Sequence, residues 1–194
     1  MATVKILIQG YAKEIKNGWL ASSTTTLITS NNKRIIIDPG TNRKLLLKKL
    51  TDENLTPEQI DYVFMTHYHP DHNLLTGIFP NAIVMDDGMF YQNDKQWDHQ
   101  GIIPNTSIKI IKTPGHDQFH GSLIVPTDNN VVAVAGDVFW WADNEEQKTD
   151  KESLLNHPDP FEKDHNQLLE SRKQLLKNAD SIVPGHGKMF NVEK

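Results

Sequence analysis

Short runs of β-branched and aromatic residues recur along the whole chain, broken by glycine, proline, asparagine and aspartate. Each run fits a strand, because branched side chains pack well on a pleated surface and the breakers favour turns. The pattern predicts nine strands, over residues 4–8, 25–29, 34–37, 62–65, 82–85, 107–111, 122–125, 131–135 and 181–183. Helical patterns lie between them at 43–50, 56–60, 73–77 and 164–178. In the last of these, Leu168, Leu169, Leu175 and Leu176 form one apolar face. Asp128-Asn129-Asn130 suggests a hairpin turn. Hairpins mixed with helices call for two packed sheets covered on their outer faces, so the expected fold class is α/β (α+β), a four-layer αββα sandwich. Residues 86–101 and 140–160 are polar, acidic and aromatic without a clear period, and are expected to be long loops on a functional rim. With no repeat, low-complexity tract or linker in 194 residues, a single domain over 1–194 is expected.

Composition narrows the function. A net charge of −5 weakens a nucleic-acid or membrane-surface reading, although a local basic strip remains compatible with it. Arg43, Lys44, Lys48 and Lys49 read as a solvated helix face. The absence of cysteine excludes disulfides, zinc–thiolate sites and thiol nucleophiles, so any metal must be held by nitrogen and oxygen. No basic leader and no apolar run of membrane-spanning length is present, so a soluble, cytoplasmic chain without a membrane partner is expected. There is no DNA-binding motif, no G-x-S-x-G elbow, no phosphate-cradling G-x-x-x-x-G-K and no dinucleotide fingerprint. The oligomeric state is not legible.

The chemistry concentrates in Thr66-His67-Tyr68-His69-Pro70-Asp71-His72, directly after the strand-like run 62–65. An H-x-H spacing on extended backbone points His67 and His69 the same way, while Asp71 and His72 can turn toward a second ion. Three more ligand-type residues each follow a strand beside glycine or proline. They are His116 in Thr113-Pro114-Gly115-His116, Asp137 in Ala135-Gly136-Asp137, and His186 in Pro184-Gly185-His186-Gly187. Five histidines and two aspartates suffice for a dinuclear centre that keeps a position open for water. His120 is a candidate neighbour of the ligands or of substrate, and His99 a rim contact. His157 and His165 read as ordinary, and Trp140 and Trp141 as core packing or a substrate grip.

THYHPDH, TPGH, AGD and PGHG, in this order, resemble the metallo-β-lactamase superfamily over nearly the whole chain. The resemblance implies the αββα sandwich with the metals at one edge. It implies His67, His69 and His116 on a first metal, Asp71, His72 and His186 on a second, and Asp137 bridging. In the stretch 34–40, Asp38 would orient a ligand histidine. Residues 170–173, the Val183-Pro184-Gly185-His186-Gly187 run and Phe190-Asn191-Val192 are similar to the metallo-β-lactamase domain-containing protein 1 branch, which implies an RNA-cleaving phosphodiesterase.

The expected function is a binuclear metal-dependent hydrolase using metal-bound hydroxide on a small molecule or RNA. The bond cleaved is a phosphodiester or an acyl bond such as a thioester, lactone or β-lactam. Two zinc ions are expected, with iron or manganese compatible with an aspartate bridge, and Asp71 is expected to steer or accept a proton as well. The alternative is a mononuclear iron oxidoreductase of the persulfide dioxygenase type. A nuclease should show a positive strip leading to the metals, and an acyl hydrolase an apolar, enclosed cleft.

Overall fold

A computed structural model describes residues 1–193. The chain begins with β1 (Ala2–Ile8), β2 (Tyr11–Ile15), β3 (Gly18–Ser22), β4 (Thr25–Ser30), β5 (Lys33–Ile37) and α1 (Arg43–Asp52). A 3₁₀ turn (Pro57–Gln59), β6 (Tyr62–Phe64), α2 (Pro70–Asn73), a second 3₁₀ turn (Thr76–Ile78), β7 (Ile83–Met85), β8 (Met89–Gln92) and β9 (Lys95–Asp98) follow. The remainder is β10 (Lys109–Lys112), β11 (Gly121–Pro126), β12 (Val131–Trp140), α3 (Lys151–Leu155), α4 (His165–Asn178), β13 (Ser181–His186) and β14 (Phe190–Asn191). One sheet has the order β1-β4-β5-β6-β7-β8-β9 and the other β10-β11-β12-β13-β14, with β2 and β3 forming a separate ribbon.

The two-residue period of a strand builds the layers. Ile35 and Ile37 of β5 and Tyr62 and Phe64 of β6 join Leu123, Val125, Val132, Val134 and Val183 in the core between the sheets. Ile36 and Val63, one position out of phase, point to the outer face and meet Leu46 and Leu50 of α1. On the second sheet, Ala133, Ala135 and Ile182 face outward against Leu154 of α3 and Leu168 and Leu175 of α4. The mixed sheets and outer helices agree with the αββα expectation. Strands buried on both faces read as unbroken apolar runs, which is why these were legible.

β5, β6 and β7 run parallel in the first sheet, and β12 and β13 in the second. Chain leaving the carboxyl ends of parallel strands forms crevices suited to ligands. The segments that carry the chemistry leave those ends: Asp38 after β5, the His67–His72 stretch after β6, and His186 at the end of β13.

Several elements differ from expectation. Residues 86–101 are not an irregular loop: β8 and β9 form a hairpin there, with Gln92 opposite Lys95 and Asn93 in the left-handed region (φ 56°). β9 is exposed along its length, so no apolar alternation marks it. The β2–β3 ribbon, exposed over most of its length, was missed as well, although Asn17-Gly18 at its tip is a turn signal. β14 is two residues long, and α3 interrupts the 140–160 segment. The helix expected over 73–77 is instead α2 and the second 3₁₀ turn.

Candidate metal centre

Thr66, wholly buried, converts β6 into the ligand loop. Its N–H and hydroxyl donate to the two oxygens of Asp38, at 2.8 and 2.7 Å. Asp38 has φ 47°, a conformation rare outside glycine and tolerated by aspartate, and its carbonyl accepts from the hydroxyls of Ser23 and Thr25. Held this way, Asp38 also accepts from His72 Nδ1 at 2.8 Å. The Thr66 hydroxyl, already donating to Asp38, accepts from His67 Nδ1 at 3.0 Å. His116 Nδ1 donates to Asp159 at 2.6 Å and His186 Nδ1 to the Tyr11 carbonyl at 3.1 Å. With Nδ1 engaged in all four rings, Nε2 is the nitrogen each ring has left to offer a metal.

Those acceptors converge. His116 Nε2 lies 3.2 Å from His69 Nδ1 and 3.4 Å from Asp137 Oδ2. His72 Nε2 is 3.2 Å from Asp137 Oδ1, and His186 Nε2 is 3.2 Å from Asp71 Oδ2 and 3.8 Å from Asp137 Oδ2. Two groups result: His67, His69, His116 and Asp137, and beside it Asp71, His72 and His186. Nitrogen ligands about 2.0–2.1 Å from one tetrahedral cation stand about 3.3 Å apart, so these spacings fit. His67 Nε2, His72 Nε2 and Asp137 Oδ1 are buried without a hydrogen-bond partner. Each such orphan costs about 1–3 kcal/mol, and a cation in each of the two groups would satisfy all three.

Backbone contacts lock the loops from both sheets. Gly121 N–H donates to the Thr66 carbonyl, Thr24 N–H to Gly185, Ser23 N–H to Asp71 and Gly40 N–H to His72. Gly185 must lack a side chain, since a Cβ there would fall on the Asp137 carboxylate. Gly115, at φ 132°, packs against the backbone of Leu168, and its carbonyl accepts from the N–H groups of Lys163 and Asp164 at the start of α4.

The electrostatics separate the rings. Burial holds His67 well below the ordinary histidine range and His69 below it. Burial would lower His72 too, but Asp137 and Asp38 together raise it well above that range. His116 is likewise raised, burial being outweighed by Asp159 and Asp137. Burial would raise the two ligand-type carboxyls, yet His72 and His186 hold Asp137 far below the usual range, and His186 and His72 lower Asp71.

The structure thus brings His67, His69, Asp71, His72, His116, Asp137 and His186 together and sets Asp38 behind His72. His120 lies elsewhere than the cleft: at 0% exposure it stacks on His67 (ring centroids 5.0 Å apart, 25°), with Nδ1 2.9 Å from the Thr113 hydroxyl, so it touches a ligand-type ring and not substrate. His99 braces a turn through the Asp86 carbonyl and Gly101 N–H. His157 donates to the Trp140 carbonyl and His165 pairs with Glu162. Of the two tryptophans, Trp141 packs in the outer core and Trp140 lines the cleft.

Sequence reasoning missed Asp159, Thr66 and Asp86. Asp86 accepts from Tyr91 at 2.7 Å, from Gly88 and Met89 N–H, and by a short bond from Tyr68, the residue between two ligand-type histidines. Burial and then Asp86 push the Tyr68 hydroxyl well up, so it acts as a donor. Tyr68→Phe is expected to lower stability by about 1 kcal/mol, read as a reduced midpoint in denaturant at unchanged slope.

Comparison with known proteins identifies the family and the fold. A family model described as Metallo-beta-lactamase superfamily matches residues 18–97. A mouse relative is 31% identical over 96% of this chain and 74% of its own length. The chain belongs to the metallo-β-lactamase superfamily, whose members are mostly metal-dependent hydrolases. Within it, the full-length likeness is to the branch called metallo-beta-lactamase domain-containing protein 1. That is the name of the mouse relative and of one from Xenopus laevis, 28% identical over 99% of this chain and 82% of its own length. A Thermotoga maritima crystal structure assigned to the metallo-beta-lactamases shares the fold, with a TM-score of 0.70 at 18% identity, covering 98% of this chain and 99% of that one. Among the described residues no helix is long and apolar enough to cross a membrane.

Proposed function

We propose that this chain is a binuclear metal-dependent hydrolase, with His67, His69 and His116 holding one cation, Asp71, His72 and His186 the other, and Asp137 between them. The observation that carries this reading is the convergence of buried ligand-type atoms without a hydrogen-bond partner, His67 Nε2, His72 Nε2 and Asp137 Oδ1, within two adjoining ligand groups. The second group argues against a mononuclear iron oxidoreductase, which needs only one set. When bound, a divalent pair supplies an activated water near neutral pH and polarises the oxygen of the attacked carbonyl or phosphoryl group. The chain's own part is to hold ligands rigidly. Asp38, Thr66, Asp159 and the Tyr11 carbonyl fix the tautomers, and Asp71, with its Oδ2 on His186, is placed at the cleft to accept a proton. Zinc is the expected metal, and the all-nitrogen-and-oxygen donor set also accepts iron or manganese.

Elemental analysis of purified protein tests this. Two cations per chain are expected, with hydrolysis abolished by chelation and restored by the metal; hydrolysis that persists after the cations are removed would overturn the proposal. A second expectation follows from the raised His72 and His116, which hold protons that a cation must displace. Ligands bind metal deprotonated, so adding cation to chelator-treated protein near neutral pH should release about one to two protons per chain, and retention should weaken as pH falls. Indicator titration in weak buffer measures both.

A further inference from the structure

A row of aromatic rings leads from the rim of the cleft to the metal-ligand group. Trp19 meets Phe161 edge to face with centroids 6.0 Å apart, Phe161 meets Trp140 at 5.7 Å, and Trp140 meets His186 at 6.2 Å. Trp140 is 5% exposed and forms the floor, whereas Trp19 and Phe161 remain 44% and 42% exposed at the mouth. Half-exposed large apolar rings beside a cleft mark a surface that a ligand covers.

The ribbon supplies one wall in register. Ala12 is paired with Ala21, and Glu14 with Trp19, so Ala12, Trp19 and Ala21 share one face of the ribbon, and all three line the cleft. The two alanines leave space between the rings and the ligand-type side chains. The ribbon belongs to neither sheet, and its base is fastened by the paired bonds of Ala12 and Asp143. The cavity is ≈ 390 Å³, the size of a small-molecule site, and neither lysine nor arginine lines it. A polynucleotide carries a phosphate at every residue and needs cations along its path. Among the described lining residues no lysine or arginine supplies them.

Resting on the hydrolase reading, we infer that Trp19, Phe161 and Trp140 form a subsite for an apolar acyl group, so that the substrate is an uncharged acyl ester, thioester or lactone and not a phosphodiester. The β2–β3 ribbon is then the specificity element, and substrate preference grows with the apolar area buried against it.

The test uses the metal-loaded protein with straight-chain acyl p-nitrophenyl esters from acetyl to decanoyl, and a single-stranded RNA oligonucleotide. About fourfold in kcat/KM per added methylene is expected until the subsite is filled. In Trp19→Ala/Phe161→Ala, the octanoyl-to-acetyl ratio of kcat/KM should fall by about tenfold or more while cation content is unchanged. A flat series in the unaltered protein, an unchanged ratio in the double variant, or RNA cleavage with the esters inert would each overturn the inference. Absence of chelator-sensitive turnover on any substrate would instead count against the hydrolase reading. In that event octanoate binding by calorimetry decides the subsite: binding tighter than that of acetate and lost in the double variant supports it, and no chain-length preference overturns it.

Discussion

Asp137→Ala is expected to lower kcat/KM by about a thousandfold or more and to reduce bound cation below two per chain, a larger effect than the roughly 10–100-fold typical of groups that only support a ligand. The expectation comes from the position of one carboxylate between the two groups. Its Oδ1 faces His72 and its Oδ2 faces His67, His116 and His186, at 3.2 to 3.8 Å. Removing it opens the contact between the two sets and deletes the one anion common to both. It also takes from His72 the Asp137 carboxylate, leaving Asp38 at 2.8 Å and Asp71 at 4.0 Å, and breaking a buried pair of this kind costs about 3–5 kcal/mol. Asp137→Asn keeps the shape and loses the charge, so it should recover folding without recovering cation. Elemental analysis beside steady-state kinetics measures both quantities. Two tightly bound cations and intact turnover in Asp137→Ala would show that the centre is built on other residues.

How much of this was readable from the chain depends on sequence distance. His67, His69, Asp71 and His72 stand within six residues at the end of an apolar strand, and local geometry alone brings them together. His116, Asp137 and His186 were found because each was expected to follow a strand beside glycine or proline; His186 does end β13, but β12 runs on past Asp137 to Trp140, and Gly185 permits the close approach to its carboxylate. The supporting contacts left little trace. Thr66 looks like one more β-branched strand residue, and its role depends on Asp38, 28 positions away. Asp86 sat in a segment read as irregular, where its four donors come from a turn, the hairpin and the ligand loop. Exposed strands such as β9 bury no face, so the period that reveals a strand is absent from them. The polar, acidic and aromatic composition of residues 140–160 did point to a rim. It did not show that Trp140 would form a cleft floor while Trp141, one position on, would face the outer core, since that split follows from the pleat of β12 and the turn after it.

Asp159 is the sharpest case, and it carries the other large expected effect. It lies between Pro158 and Pro160, 43 positions from His116, yet its Oδ2 is 2.6 Å from His116 Nδ1 and its Oδ1 accepts the Phe161 N–H at 3.0 Å. A carboxylate behind a ligand histidine fixes the ring and raises the basicity of the nitrogen that faces the metal. Asp159→Ala is therefore expected to weaken binding of the cation at His67, His69 and His116 by about 10–100-fold, with less effect on the cation at Asp71, His72 and His186. Asp159→Asn, which retains an oxygen acceptor without the charge, should fall between. Competition against a chromophoric chelator gives the two affinities, and kcat at saturating cation should recover much further than the affinity does. The segment itself should stay in place. Arg172, buried in α4, donates to the carbonyls of Leu155 at 3.3 Å and His157 at 2.7 Å, and to Val138 at 3.2 Å, so main-chain bonds tie the 155–157 segment to β12 and α4 without using the Asp159 carboxylate as acceptor. A folded Asp159→Ala protein with unchanged affinity at both positions would mean that His116 is oriented by the α4 packing at Gly115 alone, and the carboxylate would lose its assigned role.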